Sequence, residues 1–127
     1  MKASGEEVMV PSIEQTVLTQ IEQAVETFER QFMAGDPGEV RAGQVDDLIV
    51  IRLSKISIVA ERTLCRTPEG RALVKQMWTT LFEQGRQTLT AKLSKITGME
   101  LRAIFSDFDP LTDEAVLMFS SGRQSSV

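Results

Sequence analysis

Asp46-Asp47-Leu48-Ile49-Val50-Ile51-Arg52-Leu53 is the stretch on which the fold of this chain turns. It is a short apolar run rich in β-branched residues, opened by a turn-forming Asp pair. That is the pattern of a central strand covered on both faces. Just upstream, Gly35-Asp36-Pro37-Gly38 makes a turn, and Glu39 to Val45 makes a more polar strand weakened by Gly43. With Asp46-Asp47 reversing the chain, the two strands form an antiparallel hairpin whose first member lies nearer a sheet edge.

Helical patterns flank this hairpin. On the N-terminal side, Ser12 as N-cap and Gln15 three residues on read as a capping box, with Glu14 in the first turn. Ile13, Val17, Ile21, Ala24, Val25, Phe28 and Phe32 recur at spacings of three and four, a single apolar stripe. Glu22, Gln23, Glu26 and Glu29 are expected on the opposite, solvated face. Gly35 ends the helix and Pro37 follows. On the C-terminal side, Ile56 to Arg66 reads as a short helix. Thr67-Pro68-Glu69 then opens a longer one: Thr as N-cap, Pro at the first helical position, an acid in the first turn. Its stripe runs from Val74 through Met77, Trp78, Leu81, Phe82, Gly85, Leu89 and Leu93 to Ile96, and Gly98 is the C-cap. A helix over residues 68–97 is about 45 Å long at 1.5 Å per residue. One end of so long a helix is expected to overhang the body or meet a partner. Gly85 marks either a bend or a close approach.

Leu101 to Phe105 and Ala115 to Phe119 form a second hairpin around the turn Asp109-Pro110-Leu111-Thr112-Asp113. The expected class is α+β, in the order α-β-β-α-α-β-β. Two antiparallel hairpins form a four-stranded sheet packed against long helices. A single domain covers 12–121, between flexible tails at 1–11 and 122–127.

Composition narrows the function. The chain has 127 residues, 42% of them hydrophobic and 25% charged, enough for one domain with a core of its own. A net charge of -4 favours neither nucleic acid nor an anionic membrane. No apolar run approaches the roughly 20 residues needed to span a bilayer, and Met1 to Val10 lacks the apolar core of a secretion signal. Cys65, the single cysteine, fits a reducing compartment, so a cytoplasmic location is expected. The chain contains no His and no Tyr, which removes Ser/His and Cys/His nucleophilic pairs and imidazole metal ligands. An enzyme would have to work with carboxylates, Lys or Arg, Ser or Thr, or one thiol. No cofactor is expected.

Several clusters are candidates for chemistry. Ser106-Asp107-Phe108-Asp109 is similar to the Asp-x-Asp-x-Thr nucleophile loop of haloacid-dehalogenase-like phosphatases. Thr112 falls one position late, however, and no αβ repeats follow. A carboxylate-based, Mg-dependent phosphatase or hydrolase at Asp107 and Asp109 is the enzymatic alternative; the plainer reading is that these acids cap a turn. Asp46 and Asp47 would join Asp107 and Asp109 as an acidic turn cluster for a hard cation if the two turns converged. Gly35-Asp36-Pro37-Gly38 has the form of a GxxG loop, yet it joins a helix to a strand and carries no Lys or Arg. Arg62, Arg66 and Arg71 are the candidate anion-binding residues, at the start of the long helix; a solvated mixed-charge face accounts for them as well. Cys65 on an apolar face reads as an inert, buried thiol.

The segment order then resembles a known family. The run from Val40-Arg41 through Val45 to Leu53 and Ala60-Glu61-Arg62-Thr63-Leu64 is similar to its first half. Thr67-Pro68-Glu69-Gly70-Arg71, Thr97-Gly98, Ser106-Asp107 and Asp109-Pro110 are similar to its second. The family is that of the C subunit of the Na+-translocating membrane-potential-generating system, MpsC-like and formerly a domain of unknown function. The tetrapeptide at 35–38 departs from the family's Gly-Arg-Gly-Pro. The resemblance implies a small bacterial protein accessory to membrane ion or inorganic-carbon transport, and it carries over no catalytic residue.

These readings converge on a non-catalytic cytoplasmic interaction or regulatory protein, with an anion- or nucleic-acid-binding module as a further alternative. Its partners are expected to be proteins, membrane transport subunits among them, without nucleic acid and without membrane insertion. Because the central strand is apolar on both faces (Leu48 and Val50 against Ile49, Ile51 and Leu53), a second copy is expected to cover the face the helices leave open.

Overall fold

A computed structural model describes residues 12–33 and 35–121; the expected tails at 1–11 and 122–127 lie outside them. The elements are α1 (Gln15–Gln31), β1 (Glu39–Val45), β2 (Leu48–Ser54), α2 (Val59–Leu64), α3 (Pro68–Thr97), β3 (Arg102–Asp109) and β4 (Glu114–Ser120). The order is the expected α-β-β-α-α-β-β. The four strands form one antiparallel sheet in the order β1-β2-β4-β3, so the two hairpins join through β2 and β4.

Strand alternation sorts the side chains. Ile49, Ile51 and Leu53 of β2 and Ala115, Leu117 and Phe119 of β4 are all almost fully buried beneath the helices. Val40 from β1 and Phe108 from β3 extend that layer to the edges. α1 packs on α3 and on β1, while α3 packs on β3. Aromatic contacts tie the helices together. Phe28 meets Phe82 edge-on at 6.1 Å between centroids, and Trp78 stacks on Phe82 at 5.2 Å and on Phe108 at 5.6 Å.

The ends of α1 differ from expectation. Its N-cap is Glu14, without a side-chain cap bond, and not Ser12. The Ile13 N–H donates instead to Gln44 Oε1 of β1 at 2.7 Å, and the Ala42 N–H donates to Glu22 Oε2 at 2.8 Å. Gln44 thus anchors the start of α1 to β1, and Glu22 satisfies a donor on the edge strand β1. At the other end α1 stops at Gln31 with Phe32 as its C-cap, short of the expected Gly35, whose N–H returns to Glu29 O at 2.8 Å.

α3 begins and ends where its caps dictate. Thr67 Oγ1 accepts the Gly70 N–H, and Gly98 closes the helix at φ 73°, a left-handed position suited to glycine. Its buried residues run from Gly70 to Leu93, so nearly its whole length is used within the fold. Gly85 is the close-approach point: a Cβ there would lie 2.5 Å from the Phe32 ring and 2.7 Å from Phe28. Gly70 is tighter still. A Cβ would come within 1.7 Å of Leu64 O, the carbonyl at the end of α2.

Gly70→Ala sets two effects against each other. Helix propensity favours Ala by up to about 1 kcal/mol, but the clash is with backbone that no rotamer change relieves. We therefore expect Gly70→Ala to lower stability by about 1–3 kcal/mol in urea denaturation. An unchanged or raised midpoint would refute this packing.

Candidate functional site

The sheet face turned away from the helices reads in rows across the four strands. One row is Gly43, Val50, Met118 and Phe105; the next is Val45, Leu48, Ser120 and Arg102. A third runs Arg41, Arg52, Val116 and Asp107, and a fourth Glu39, Ser54, Glu114 and Asp109. The first two rows are mostly apolar. Val45 is 58% exposed and Phe105 49%, while Leu48, Val50, Val116 and Met118 are half-buried. The register slips at Ile104, which is left 49% exposed beside Phe105. Around Gly43 a Cβ would meet nothing within 4 Å. Among the described residues no helix packs over this face. Scattered exposed apolar residues are ordinary, whereas a contiguous patch across four strands is the signature of a contact surface.

The four candidate acids fall into two separate groups. Asp46 and Asp47 precede Leu48, which pairs with Ser120, whereas Asp109 pairs with Glu114 beside Ser54, so the two turns sit at opposite ends of the sheet. Asp46 adopts φ 54° in the first turn, and Asp47 O accepts the Ser121 N–H. Asp107 pairs with Lys75 at 3.1 Å around the β3 edge, with both side chains about half exposed. Asp109 Oδ1 accepts the Leu111 N–H at 3.0 Å, an Asx turn. Among the described residues no group of three or more acidic or Cys side chains has metal-binding geometry.

The arginines work locally. Arg62 donates to Ser57 O and Arg71 to Cys65 O at 3.0 Å, bracing the two ends of α2. Arg66 is exposed. Cys65 is half-buried, and burial first, then the charges of Asp113 and Glu61, pushes its thiol pKa up despite Arg71. That is an unreactive setting.

One feature of the chain contradicts its sequence reading. Glu29, expected on the solvated face of α1, is 3% exposed. It lines a cavity of about 20 Å³ with Glu61, Ser57, Val74, Met77 and Trp78, room for the centre of about one water molecule. On the same lining the buried Trp78 Nε1–H has no hydrogen-bond partner among the described residues. Burial, and secondarily the charge of Glu61, raises the Glu29 pKa to about 7. Glu61 is itself raised by burial and by Asp113, although the Ile58 N–H donated to it at 3.1 Å acts the other way. The spacing held the signal: Ile21, Val25 and Glu29 are four apart, so Glu29 belongs to the apolar stripe.

Residues 14–121 match the model of a protein family described as the Na+-translocating membrane potential-generating system (MpsC). The chain belongs to the MpsC family. A Bacillus subtilis (strain 168) protein described as "Uncharacterized protein YbcI" is 26% identical over 104 residues, covering 82% of this chain and 84% of that one. No solved structure matches. The family description links MpsC proteins to a membrane Na+ system. Among the described residues no helix of this member is long and apolar enough to cross a membrane.

The Glu29 carboxyl has a pH signature. Its pKa is higher folded (about 7) than unfolded (about 4.5), so the stability it confers is complete below pH 4.5 and is lost as pH rises through 7. At 1.36 kcal/mol per unit the loss is up to about 3 kcal/mol. Glu29→Gln should therefore be the more stable protein at about pH 8, with the gap closing towards about pH 5. Parallel urea curves at both pH values check this; a pH-independent gap would contradict it.

Proposed function

We propose that this MpsC-family protein is a non-catalytic interaction or regulatory protein of the cytoplasm, accessory to membrane ion or inorganic-carbon transport, and that it works as a symmetric dimer joined through the open sheet face. The observation that carries the reading is the apolar patch across β1, β2, β4 and β3, which the chain's own described elements leave uncovered.

A second copy is the occupant that this face fits best. A twofold axis parallel to the strands lays each row on its own reverse. Phe105 of one copy then sits over the open space at Gly43 of the other, and Val50 over Met118. In the neighbouring row Arg41 comes over Asp107, so the charges are complementary as well. The acidic fourth row lies at the rim, where the Arg41–Glu39 and Arg52–Glu114 ion pairs offset its charge. Burying the patch between two copies gives the sheet a second apolar cover. The family's description supports placing such a dimer beside a membrane Na+ system. The sparse equipment for bond-making chemistry supports docking over catalysis: the chain has no His, and Asp107 and Asp109 are occupied with an ion pair and a turn.

Light scattering tests this directly. The wild-type chain should run as a dimer at about 100 μM, and Val50→Lys or Met118→Lys should weaken association by about 100-fold or more, as charge in the centre of an interface does. A wild-type chain that is strictly monomeric at that concentration would remove the dimer. Far-UV circular dichroism of both variants shows whether the fold survives the substitution.

A further inference from the structure

We propose that Glu29 is a proton-binding site whose occupancy decides whether α2 stays docked over the cavity between α1 and α3. The site is on the helix side of the sheet, away from the proposed dimer face, so the two readings stand or fall separately.

The cavity holds two carboxyl groups and nothing to balance them. Glu29 projects from α1 and Glu61 from α2, and the remaining lining from α3, β3 and the 56–57 segment is uncharged: Val74, Met77, Trp78, Leu81, Phe108, Ile56 and Ser57. The nearby cations are engaged elsewhere, Arg62 with Ser57 O, Arg71 with Cys65 O and Lys75 with Asp107. Among the described residues, Asp113 of the β3–β4 turn also bears on the pair, its charge disfavouring ionised Glu61. With Glu29 protonated the cavity carries at most the Glu61 charge. Loss of that proton leaves a largely desolvated carboxylate sharing its cavity with a second carboxyl group.

Relief must come from movement or from water, and the fold decides which element yields. α1 is fixed by Ile21, Ala24, Val25 and Phe28, all buried. α3 buries one face along almost its whole length, from Gly70 to Leu93. α2 has six residues and none of them is buried. Polar contacts tie its two ends to the body: Ser57 N–H, just ahead of it, to Asp113 Oδ1 at 3.0 Å, and Arg71 of α3 to Cys65 O, just after it, at 3.0 Å. The Ile58–Glu61 and Arg62–Ser57 bonds lie within its own first turn. Those contacts can be exchanged for water at little net cost. Release of α2 carries Glu61 away from Glu29 and lets water reach the cavity. The raised pKa of Glu29 places the transition near neutrality, and with no His in the chain no side chain of the usual kind titrates there.

The test is amide hydrogen exchange of residues 59–65 at about pH 5.5 and about pH 8.5, corrected for intrinsic rates, alongside a pH titration of Trp78 fluorescence. Trp78 is the chain's single tryptophan and lines the cavity, so it reports on the site. We expect exchange in α2 to rise by at least about tenfold at the higher pH, since each unit of pKa difference between docked and released forms is a factor of ten, while the core of α3 keeps its protection. Glu29→Gln should abolish both the rise and the fluorescence transition. The α-amino group titrates in both proteins and cancels in the comparison. Glu61→Gln removes a charge that acts only against ionised Glu29, so the proposal requires the fluorescence midpoint to move to lower pH. Equal protection at the two pH values, a rise that persists in Glu29→Gln, or a midpoint that Glu61→Gln leaves in place or raises would each overturn it. Should Glu29→Gln fail to fold, the wild-type exchange and the Glu61→Gln midpoint decide the matter.

Discussion

The pairing of β2 with β4 is the constraint on which everything else in this molecule rests. Each of these strands belongs to a different hairpin, and their seven-residue register from Leu48 with Ser120 to Ser54 with Glu114 makes one sheet of the two. The same register aligns Ile49, Ile51 and Leu53 with Phe119, Leu117 and Ala115, so that six inward side chains form one layer for α1 and α3 to cover. A slip of one residue would turn that layer towards solvent and bring Val50, Val116 and Met118 inside. Register here is therefore specified by burial.

Once the sheet is set, the helices have few choices. α1 and α3 must approach closely enough to share the inner layer, and Gly85 permits this by leaving room for the rings of Phe28 and Phe32. The same crowding carries Glu29 inside, because it shares a stripe with Ile21 and Val25. A carboxyl in that position is stable mainly when neutral, which links the packing of the core to proton concentration. α2, lacking buried residues, is tied to the body by polar contacts at its two ends.

The two faces of the sheet thus hold different kinds of unfinished business. On the helix side the imbalance is electrostatic, two carboxyls without a counter-charge. On the open side it is hydrophobic, with Val45, Leu48, Val50, Phe105 and Met118 in adjoining rows without an intramolecular cover among the described elements. For a member of a family linked to a membrane Na+ system, an open face suited to assembly and a buried group sensitive to pH are compatible properties of one small domain.

Local signals in the chain settled much of this. The β-branched run at 48–53, the turn residues at 46–47 and 109–113, and the Thr67-Pro68 and Gly98 caps determined the element order, and α3 runs from 68 to 97 as its caps dictate, because these features act within a few residues of themselves. The apolar character of both β2 faces was equally legible. What tertiary structure alone decided involves residues far apart in the chain. Gln44 accepted the Ile13 N–H at the start of α1 and Glu22 the Ala42 N–H of β1, the two acidic turns went to opposite ends of the sheet, and Glu29 met Glu61 across a cavity. No local rule sets those meetings; they follow from where a four-stranded sheet obliges two helices to lie.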